Sequence, residues 1–188
     1  MSKRSVLSTL RLSVPALALG LSLTACADLG QPTVSAELKD AGGKVVGQAT
    51  FRPEVIGTRA SIEVSGLTPG QHALHIHENP KCEPGPDAKG KVIPFGAAGG
   101  HFDPGASKNH DHPTTTNDKG HGGDLPMIEV GDDGKGKLNF DTNRVKMSGP
   151  TSVLGRSIVI HEGADDYQTD PAGNSGGRVA CGVFVAIN

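Results

Sequence analysis

The sequence lacks tryptophan altogether, and only 3% of its 188 residues are aromatic. A core without large rings has to be built from Val, Ile, Leu and Ala. Glycine and proline are abundant, with 27 and 13 residues, while helical periodicity is scarce. The composition therefore indicates a loop-rich all-β protein, and the length suits a single domain with its own core.

Long hydrophobic runs are also missing, since the main apolar stretch, residues 14–23, is too short to predict a transmembrane helix. It follows a basic segment that contains Lys3, Arg4 and Arg11. A basic segment before a short apolar one is typical of an export signal. Residues 1–25 are therefore interpreted as a signal peptide that directs the chain out of the cytoplasm.

The signal runs into the residues LTAC, positions 23–26, which resemble the lipobox of bacterial lipoproteins. Cys26 would then be the lipidated first residue of the mature chain, and residues 26–32 a tether to a membrane of the cell envelope, in the periplasm. An ordinary cleavage near Ala25 or Ala27 without lipid is the alternative. Which membrane leaflet holds the anchor stays open.

Basic residues are fewer than acidic residues once the signal peptide is removed. Residues 1–26 contain three of the 18 Lys and Arg and none of the 20 Asp and Glu, which leaves 15 against 20 and a formal net charge of −5. No basic stripe remains, which argues against a nucleic acid as partner. An anionic substrate would need a local positive patch to overcome this overall charge.

Cysteine is rare as well, with three residues in the chain. If Cys26 carries lipid, Cys82 and Cys181 remain, and in an exported protein two cysteines predict one disulfide. Two free buried thiols are the alternative, which export disfavours. A bridge would close a loop of about 100 residues, which is worth about 4.7 kcal/mol in the chain-entropy model.

Alternating apolar and polar residues occur in short segments that turn signals separate. The predicted strands are residues 34–38, 44–51, 60–64, 72–77, 127–130, 137–140, 157–161 and 179–187. Two stretches without sustained periodicity, 79–124 and 162–177, predict long loops, which suggests that these loops are functional. We expect an all-β fold, a Greek-key β-sandwich or flattened barrel of about eight antiparallel strands with two long functional loops, formed by residues 33–188.

The segment HALHIHE, residues 72–78, holds three of the eight histidines. Successive side chains of a strand point to opposite faces, so His75 and His77 share one face while Leu74 and Ile76 can enter the core. Two imidazoles on one rigid strand form half of a metal site. Surface histidine pairs also occur without metal, so the pair alone leaves both readings open.

More candidate ligands follow in the first long loop: His101, His110, His112, His121 and Asp124. Three histidines and one aspartate make a suitable tetrahedral zinc set. A bound metal would also explain how so irregular a loop stays ordered. A solvated polar loop whose histidines are accidental is the alternative.

Five segments stand in the order, and close to the spacing, of one family: GLTPGQHALHIHE, AAGGHFDP, GHGGDLP, GRSIVIHEGADD and GGRVACGVF. They spread over most of residues 60–188. In these motifs the chain resembles a bacterial copper/zinc superoxide dismutase. The resemblance implies an enzyme that converts superoxide to molecular oxygen and hydrogen peroxide with copper and zinc, and so protects the cell envelope.

The resemblance also implies a role for each ligand. Matching the motifs gives the copper ligands His75, His77, His101 and His161 and the zinc ligands His101, His110, His121 and Asp124. His101 would therefore bridge the two metals and would also deliver a proton to the product.

Three further features match the family. Asp165 corresponds to the carboxylate that links a copper ligand to a zinc ligand. Arg178 corresponds to the catalytic arginine at the floor of the substrate channel, and Cys82 and Cys181 to the family disulfide. His72 corresponds to a structural residue.

Some assignments stay open. The stretch from His110 to His121 is longer than is usual in the family, so His112 competes with His110 as a ligand, and we prefer His110. Lys89 and Lys91 precede the metal loop, and they either steer substrate or are solvated surface.

Two other functions compete with the enzyme: a copper carrier of the same fold and a structural domain that binds only zinc. Carriers of Cu(I) usually use thiolates, whereas both core cysteines are assigned to a disulfide. A zinc-only domain has no use for His161 or Arg178. The complete set of matched ligands, together with Arg178, therefore favours the enzyme. Both a monomer and a homodimer are compatible with the sequence.

Overall fold

A computed structural model describes residues 30–187, and the predicted signal peptide and the first residues of the tether lie outside this range. Regular structure is almost entirely β, with one 3-10 helix at Gly96–Ala98. The strands are β1 (Thr33–Asp40), β2 (Val45–Pro53), β3 (Thr58–Ser65), β4 (Gly70–His72), β5 (Leu74–His77), β6 (Gly85–Pro86), β7 (Val92–Ile93), β8 (Ile128–Val130), β9 (Lys135–Thr142), β10 (Ser157–His161), β11 (Arg178–Val183) and β12 (Val185–Ile187). No helix in the described range is long and apolar enough to cross a membrane.

Ten strands form one antiparallel sheet that closes on itself. The order is β4-β8-β9-β3-β2-β1-β11-β10-β5, with β12 beside β1. The two ends of this order are consecutive in the chain, because residues 70–77 change partner at Ala73: β4 pairs with β8, and β5 with β10. Since β3 lies beside β9 and β1 beside β11, the connections are of the Greek-key type, and the predicted flattened barrel is confirmed.

Two predicted strands are each interrupted once. The segment predicted at 72–77 divides into β4 and β5, and the one predicted at 179–187 divides into β11 and β12 at Phe184. The backbone N–H of Phe184 donates to the carbonyl of Arg156 at 2.9 Å instead of continuing the ladder. When each interrupted strand is counted once, the large sheet has eight strands, the number expected, and β6 and β7 form a separate hairpin.

The barrel interior is filled by the inward faces of the strands. Every second residue of β3 from Thr58 to Val64 is buried, as alternation requires. Most of the core is aliphatic, but the expectation that it would contain no large rings is wrong. Phe51 packs edge-on against Phe184 at 5.0 Å between ring centroids, because the few aromatic residues are concentrated inside the barrel.

The first long loop is more ordered than its sequence suggests. It opens with the small hairpin of β6 and β7 and the 3-10 helix. Farther on, the loop serves as the second neighbour of β5, because the N–H of Phe102 donates to the carbonyl of Ile76 at 2.8 Å and the N–H of Ile76 to that of Gly123 at 2.9 Å. These bonds hold the loop along the outside of the barrel wall.

Cys82 and Cys181 form a disulfide, as predicted. Cys181 belongs to β11 and Cys82 to the start of the first long loop. The bridge lies in a small second hydrophobic cluster with Phe95, Ala98 and Val159. It therefore fastens the loop to the barrel wall near the loop's beginning.

Replacing both cysteines by serine should destabilise the protein, because the bridge joins residues 99 apart and restricts the unfolded chain. The expected loss in the free energy of unfolding, measured in urea, is up to about 4.7 kcal/mol. Proteolysis of the variant should begin within residues 83–124. Equal unfolding free energies and equal cleavage in parent and variant would contradict this role of the bridge.

Candidate metal centre

Two imidazoles project from β5 onto the outer face of the barrel wall. Leu74 and Ile76 point into the hydrophobic core, so His75 and His77 lie on the opposite face. Both histidines are fully buried because the first long loop covers them. Its residue Asp124 forms a β-bridge with His75, and its residue His101 forms one with His77.

Four histidines, in addition to His121, each present one buried ring nitrogen without a hydrogen-bond partner in residues 30–187. The atoms are Nδ1 of His75 and Nε2 of His77, His101 and His161. Ligand atoms of these four residues lie within 4.8 Å of one another. We refer to these four residues as the four-histidine cluster.

Backbone carbonyls fix two rings of the four-histidine cluster through their other nitrogen. His77 Nδ1 lies 3.0 Å from the oxygen of Gly99, and His161 Nδ1 lies 3.3 Å from that of Gly176. A carbonyl accepts only from an N–H, so the proton resides on Nδ1 in both rings. The unpaired Nε2 is therefore left with a lone pair that can bind a metal.

Carboxylates fix the other two rings. His75 Nε2 lies 2.7 Å from Oδ2 of Asp165, and His101 Nδ1 lies 2.8 Å from Oδ1 of Asp124. The atoms left unpaired in these two rings are Nδ1 of His75 and Nε2 of His101.

The donor set of the four-histidine cluster fits copper. A buried polar atom without a partner costs about 1–3 kcal/mol, so four such nitrogens side by side indicate a cation that binds them together. Four imidazoles suit Cu(II).

Burial also prepares these rings for a metal. It lowers the pKa of His75 and His77 far below the usual value, and the neighbouring histidines lower both further. Burial likewise lowers the pKa of His161 to about 3. The three imidazoles are therefore neutral near pH 7, which is the form that binds metal.

A second cluster surrounds one oxygen of Asp124. The Nδ1 atoms of His101, His110 and His121 lie 2.8, 3.1 and 3.4 Å from Asp124 Oδ1. Ligand atoms around a tetrahedral zinc, with bonds of about 2.0–2.1 Å, lie about 3.3 Å apart. The three nitrogens and the carboxylate, here called the Asp124 cluster, therefore fit zinc.

Distance alone groups His75, rather than His121, with His101, His110 and Asp124. His75 is nevertheless held by Asp165 through Nε2, and its Nδ1 belongs to the four-histidine cluster. His121 Nδ1 is buried and makes no hydrogen bond within the described range. We therefore count His121 as the fourth member of the Asp124 cluster.

The carboxylate of Asp165 connects the two clusters. Its Oδ2 lies 2.7 Å from His75 Nε2, and its Oδ1 lies 2.8 Å from His110 Nε2. Burial lowers the pKa of His110, but hydrogen bonds to Asp124 and Asp165 outweigh it and raise the pKa to about 10. His110 is thus held between two carboxylates, those of Asp124 and Asp165.

Arg178 lies beside the four-histidine cluster without contributing to it. Its guanidinium donates to the carbonyls of Phe95 and Gly99, both at 2.8 Å. The Gly99 carbonyl is also the partner of His77 Nδ1. Arg178 therefore brings a positive charge to the edge of the cluster and steadies the carbonyl that orients His77.

Comparisons with known proteins agree with this donor set. The family model of copper/zinc superoxide dismutase matches residues 45–184. The chain belongs to the copper/zinc superoxide dismutase family. It is a superoxide dismutase that uses copper and zinc and converts superoxide to molecular oxygen and hydrogen peroxide.

Several relatives of this dismutase are similar over most of their length. A Cu-Zn superoxide dismutase of Deinococcus radiodurans is 77% identical over 175 residues, which cover 93% of this chain and 96% of the relative. One of Salmonella typhimurium is 37% identical, covering 87% and 93%. The solved structure of the Brucella abortus Cu/Zn superoxide dismutase superposes with a TM-score of 0.70 at 35% identity, covering 80% of this chain and 98% of that one.

Several histidines and lysines of the dismutase lie outside both clusters. His72 is buried, with Nδ1 2.7 Å from the carbonyl of His161, which is a structural position. His112 is exposed, and its ring packs against Tyr167 at 4.9 Å between centroids. Lys89 and Lys91 belong to the exposed β6–β7 turn, where their backbone N–H groups donate to Asp87.

One residue that the sequence did not single out is Arg144. It is buried beneath the Asp124 cluster, where its guanidinium donates to the carbonyl of His121 and to Oδ1 of Asn117. The Asn117 amide returns a hydrogen bond to the Arg144 carbonyl at 2.8 Å. Arg144 thus stabilises the conformation of the loop between His110 and His121. No local sequence pattern predicts contacts between an arginine and carbonyls that are distant in the chain.

Replacing Arg144 by methionine should weaken zinc retention about tenfold, because residues that support metal ligands typically contribute 10–100-fold to affinity. The measurement is the rate of zinc loss to a chelator, followed with copper content on the same sample. Arg59→Met is the matched control, since Arg59 is partly exposed and pairs with Asp141 on the surface. Equal zinc loss in both variants would contradict the role of Arg144.

Proposed function

We propose that His75, His77, His101 and His161 hold the copper of this dismutase. We propose further that His101, His110, His121 and Asp124 hold its zinc, so that His101 is shared. The observation that carries the assignment is that four residues whose ligand atoms lie within 4.8 Å of one another each have a buried, unpaired ring nitrogen. Protein interiors rarely leave buried polar atoms without partners, and four on neighbouring residues indicate a bound ligand.

The reaction takes two superoxide ions and two protons to one molecule of oxygen and one of hydrogen peroxide. When bound, copper supplies the one-electron exchange that oxidises the first superoxide and reduces the second. The chain's own residues have to bring in an anion, orient the ligands and provide a proton.

His101 is the proposed proton donor. Its Nδ1 is occupied by Asp124 at 2.8 Å, whereas its Nε2 has no protein partner in the described part of the chain. Nε2 is also the atom assigned to copper, so it can take up a proton and transfer it to the forming peroxide only when it is not bound to the metal.

Arg178 is the proposed anion-binding residue. Burial lowers the pKa of its guanidinium, but an arginine remains charged at neutral pH. A mature chain with 15 basic and 20 acidic residues repels anions overall. The fixed positive charge of Arg178 at the edge of the four-histidine cluster would attract superoxide locally. Asp165 has the separate task of keeping His75 and His110 oriented.

We also propose that the enzyme is exported and held in the bacterial envelope by lipid on Cys26. The LTAC segment after a basic and apolar leader supports this location, and so does the disulfide, which persists in oxidising compartments. The enzyme would there protect the envelope from superoxide.

Arg178→Ala and His161→Ala should separate attraction of the substrate from binding of the metal. Arg178→Ala should keep both metals, lose about tenfold in rate and show a weaker fall in rate with added salt. His161→Ala should lose copper and activity together and keep zinc. The measurements are elemental analysis and superoxide consumption against ionic strength.

Arg178→Lys is the matched control, because it keeps the charge and should retain more of the rate than Arg178→Ala. Copper loss in Arg178→Ala together with full activity in His161→Ala would reverse the two assignments.

Cys26→Ser should abolish acylation and move the enzyme from the membrane to the soluble fraction or leave it unprocessed. Detergent phase partition and the mass of the N-terminal peptide measure this. Unchanged membrane partition of Cys26→Ser would show that Cys26 is not the anchor.

A further inference from the structure

We propose that the barrel end from which the N-terminal tether leaves rests on the membrane, and that the turn between β2 and β3 inserts Val55 and Ile56 into its lipid surface. This inference rests on the proposed lipid at Cys26 and adds a second, protein-borne contact with the same membrane.

The turn of residues 54–57 exposes two large apolar side chains in a fixed backbone. Ile56 is 79% and Val55 69% exposed, the highest values among the large hydrophobic residues of the described range. The N–H of Glu54 donates to the carbonyl of Gly57 at 3.0 Å. Gly57 has a φ of +82° and lies so close to Asn143 that a Cβ would clash with it. The turn therefore presents its apolar tip rigidly.

The described chain begins at the same end of the barrel. Val34 of β1 is paired with Phe51 of β2, so the residues before β1 run alongside the turn that follows Pro53. The Gln31 side chain accepts a hydrogen bond from the N–H of Met147 at 3.1 Å, which holds the start of the chain there. Gly30 is four positions after Cys26, a separation that spans at most about 14 Å. Lipid on Cys26 would therefore bring the bilayer surface to this end.

The C-terminal strand adds apolar surface at this end. Ile187 of β12 pairs with Thr33, and both Ile187 and Val185 are exposed. With Val55 and Ile56, four of the seven exposed large hydrophobic residues in the described range thus cluster where the tether leaves.

The charges beside the turn do not oppose a membrane. Arg52 pairs with Glu54 at 3.0 Å, and Arg59 pairs with Asp141. The acidic residues next to the tip are thus neutralised by arginines, and repulsion from anionic lipid headgroups is small.

Two apolar side chains are too few to recruit a free protein to a bilayer, because association costs rigid-body freedom. A lipid anchor changes this, since it makes the second contact intramolecular and raises the effective concentration of the tip at the surface. Insertion is therefore expected in the lipidated protein and not in Cys26→Ser.

The absence of tryptophan from the chain allows a direct test. Full-length lipidated Ile56→Trp is placed in phosphatidylethanolamine and phosphatidylglycerol vesicles with or without brominated acyl chains, which quench tryptophan on contact. We expect about twofold quenching, because interfacial residues sit about 5–10 Å deep at the acyl boundary. Val92→Trp is the matched control, since Val92 is 68% exposed and shares a pocket with Asp40 and Gly43 at the opposite end of β1. It should remain unquenched.

The outcomes separate the insertion from the anchor. Lipid on Cys26 by mass spectrometry with no quenching of Ile56→Trp would overturn the insertion and leave the anchor intact. An unlipidated Cys26 would contradict both the lipid anchor and the insertion. Equal quenching of Ile56→Trp and Val92→Trp, or no loss of quenching when Val55→Asp is added to Ile56→Trp, would overturn the insertion. So would a fluorescence shift that depends on protein concentration but not on bromine, which would identify a second copy of the chain as the occupant.

Discussion

The bridge that Asp165 makes between His75 and His110 is the interaction on which the rest of the metal centre depends. His75 belongs to the barrel wall, His110 to the first long loop and Asp165 to the second, so one carboxylate joins three parts of the chain at 2.7 and 2.8 Å. The N–H of Tyr167 donates to its Oδ1 at 2.7 Å, and Gly173 packs directly against it. Without this carboxylate, neither ring would have its Nε2 fixed, and His75 Nδ1 would lose its direction towards the four-histidine cluster.

The barrel supplies the rigidity that such a site needs. Strand β5, which carries His75 and His77, has partners on both sides, with β10 on one side and the first long loop on the other. The disulfide joins the beginning of the first long loop to β11. Near the end of the same loop, Arg144 donates a hydrogen bond to the carbonyl of His121. Because the ligands are held firmly, the neutral, buried imidazoles of the four-histidine cluster keep the positions that metal binding requires.

Sequence reasoning reached the parts of this arrangement that follow from local geometry. Strand alternation placed His75 and His77 on one face, and the donor types of the loop indicated zinc chemistry. The break at Ala73 was not predictable, because the alternation of residues 72–77 continues while the pairing partner changes. Arg144 was missed since its partners are carbonyls that converge only in the folded loop. The assignments of Asp165 and Arg178 came from family motifs, because their partners lie up to 90 residues away in the chain.

Anomalous diffraction at the copper and zinc absorption edges, from crystals of the metal-loaded enzyme, tests the central assignment most directly. We expect a copper peak bound by Nδ1 of His75 and by Nε2 of His77, His101 and His161. We expect a zinc peak bound by Nδ1 of His101, His110 and His121 and by Asp124. A zinc peak coordinated by His112 in place of His110, or a copper peak that lacks His161, would contradict the assignment.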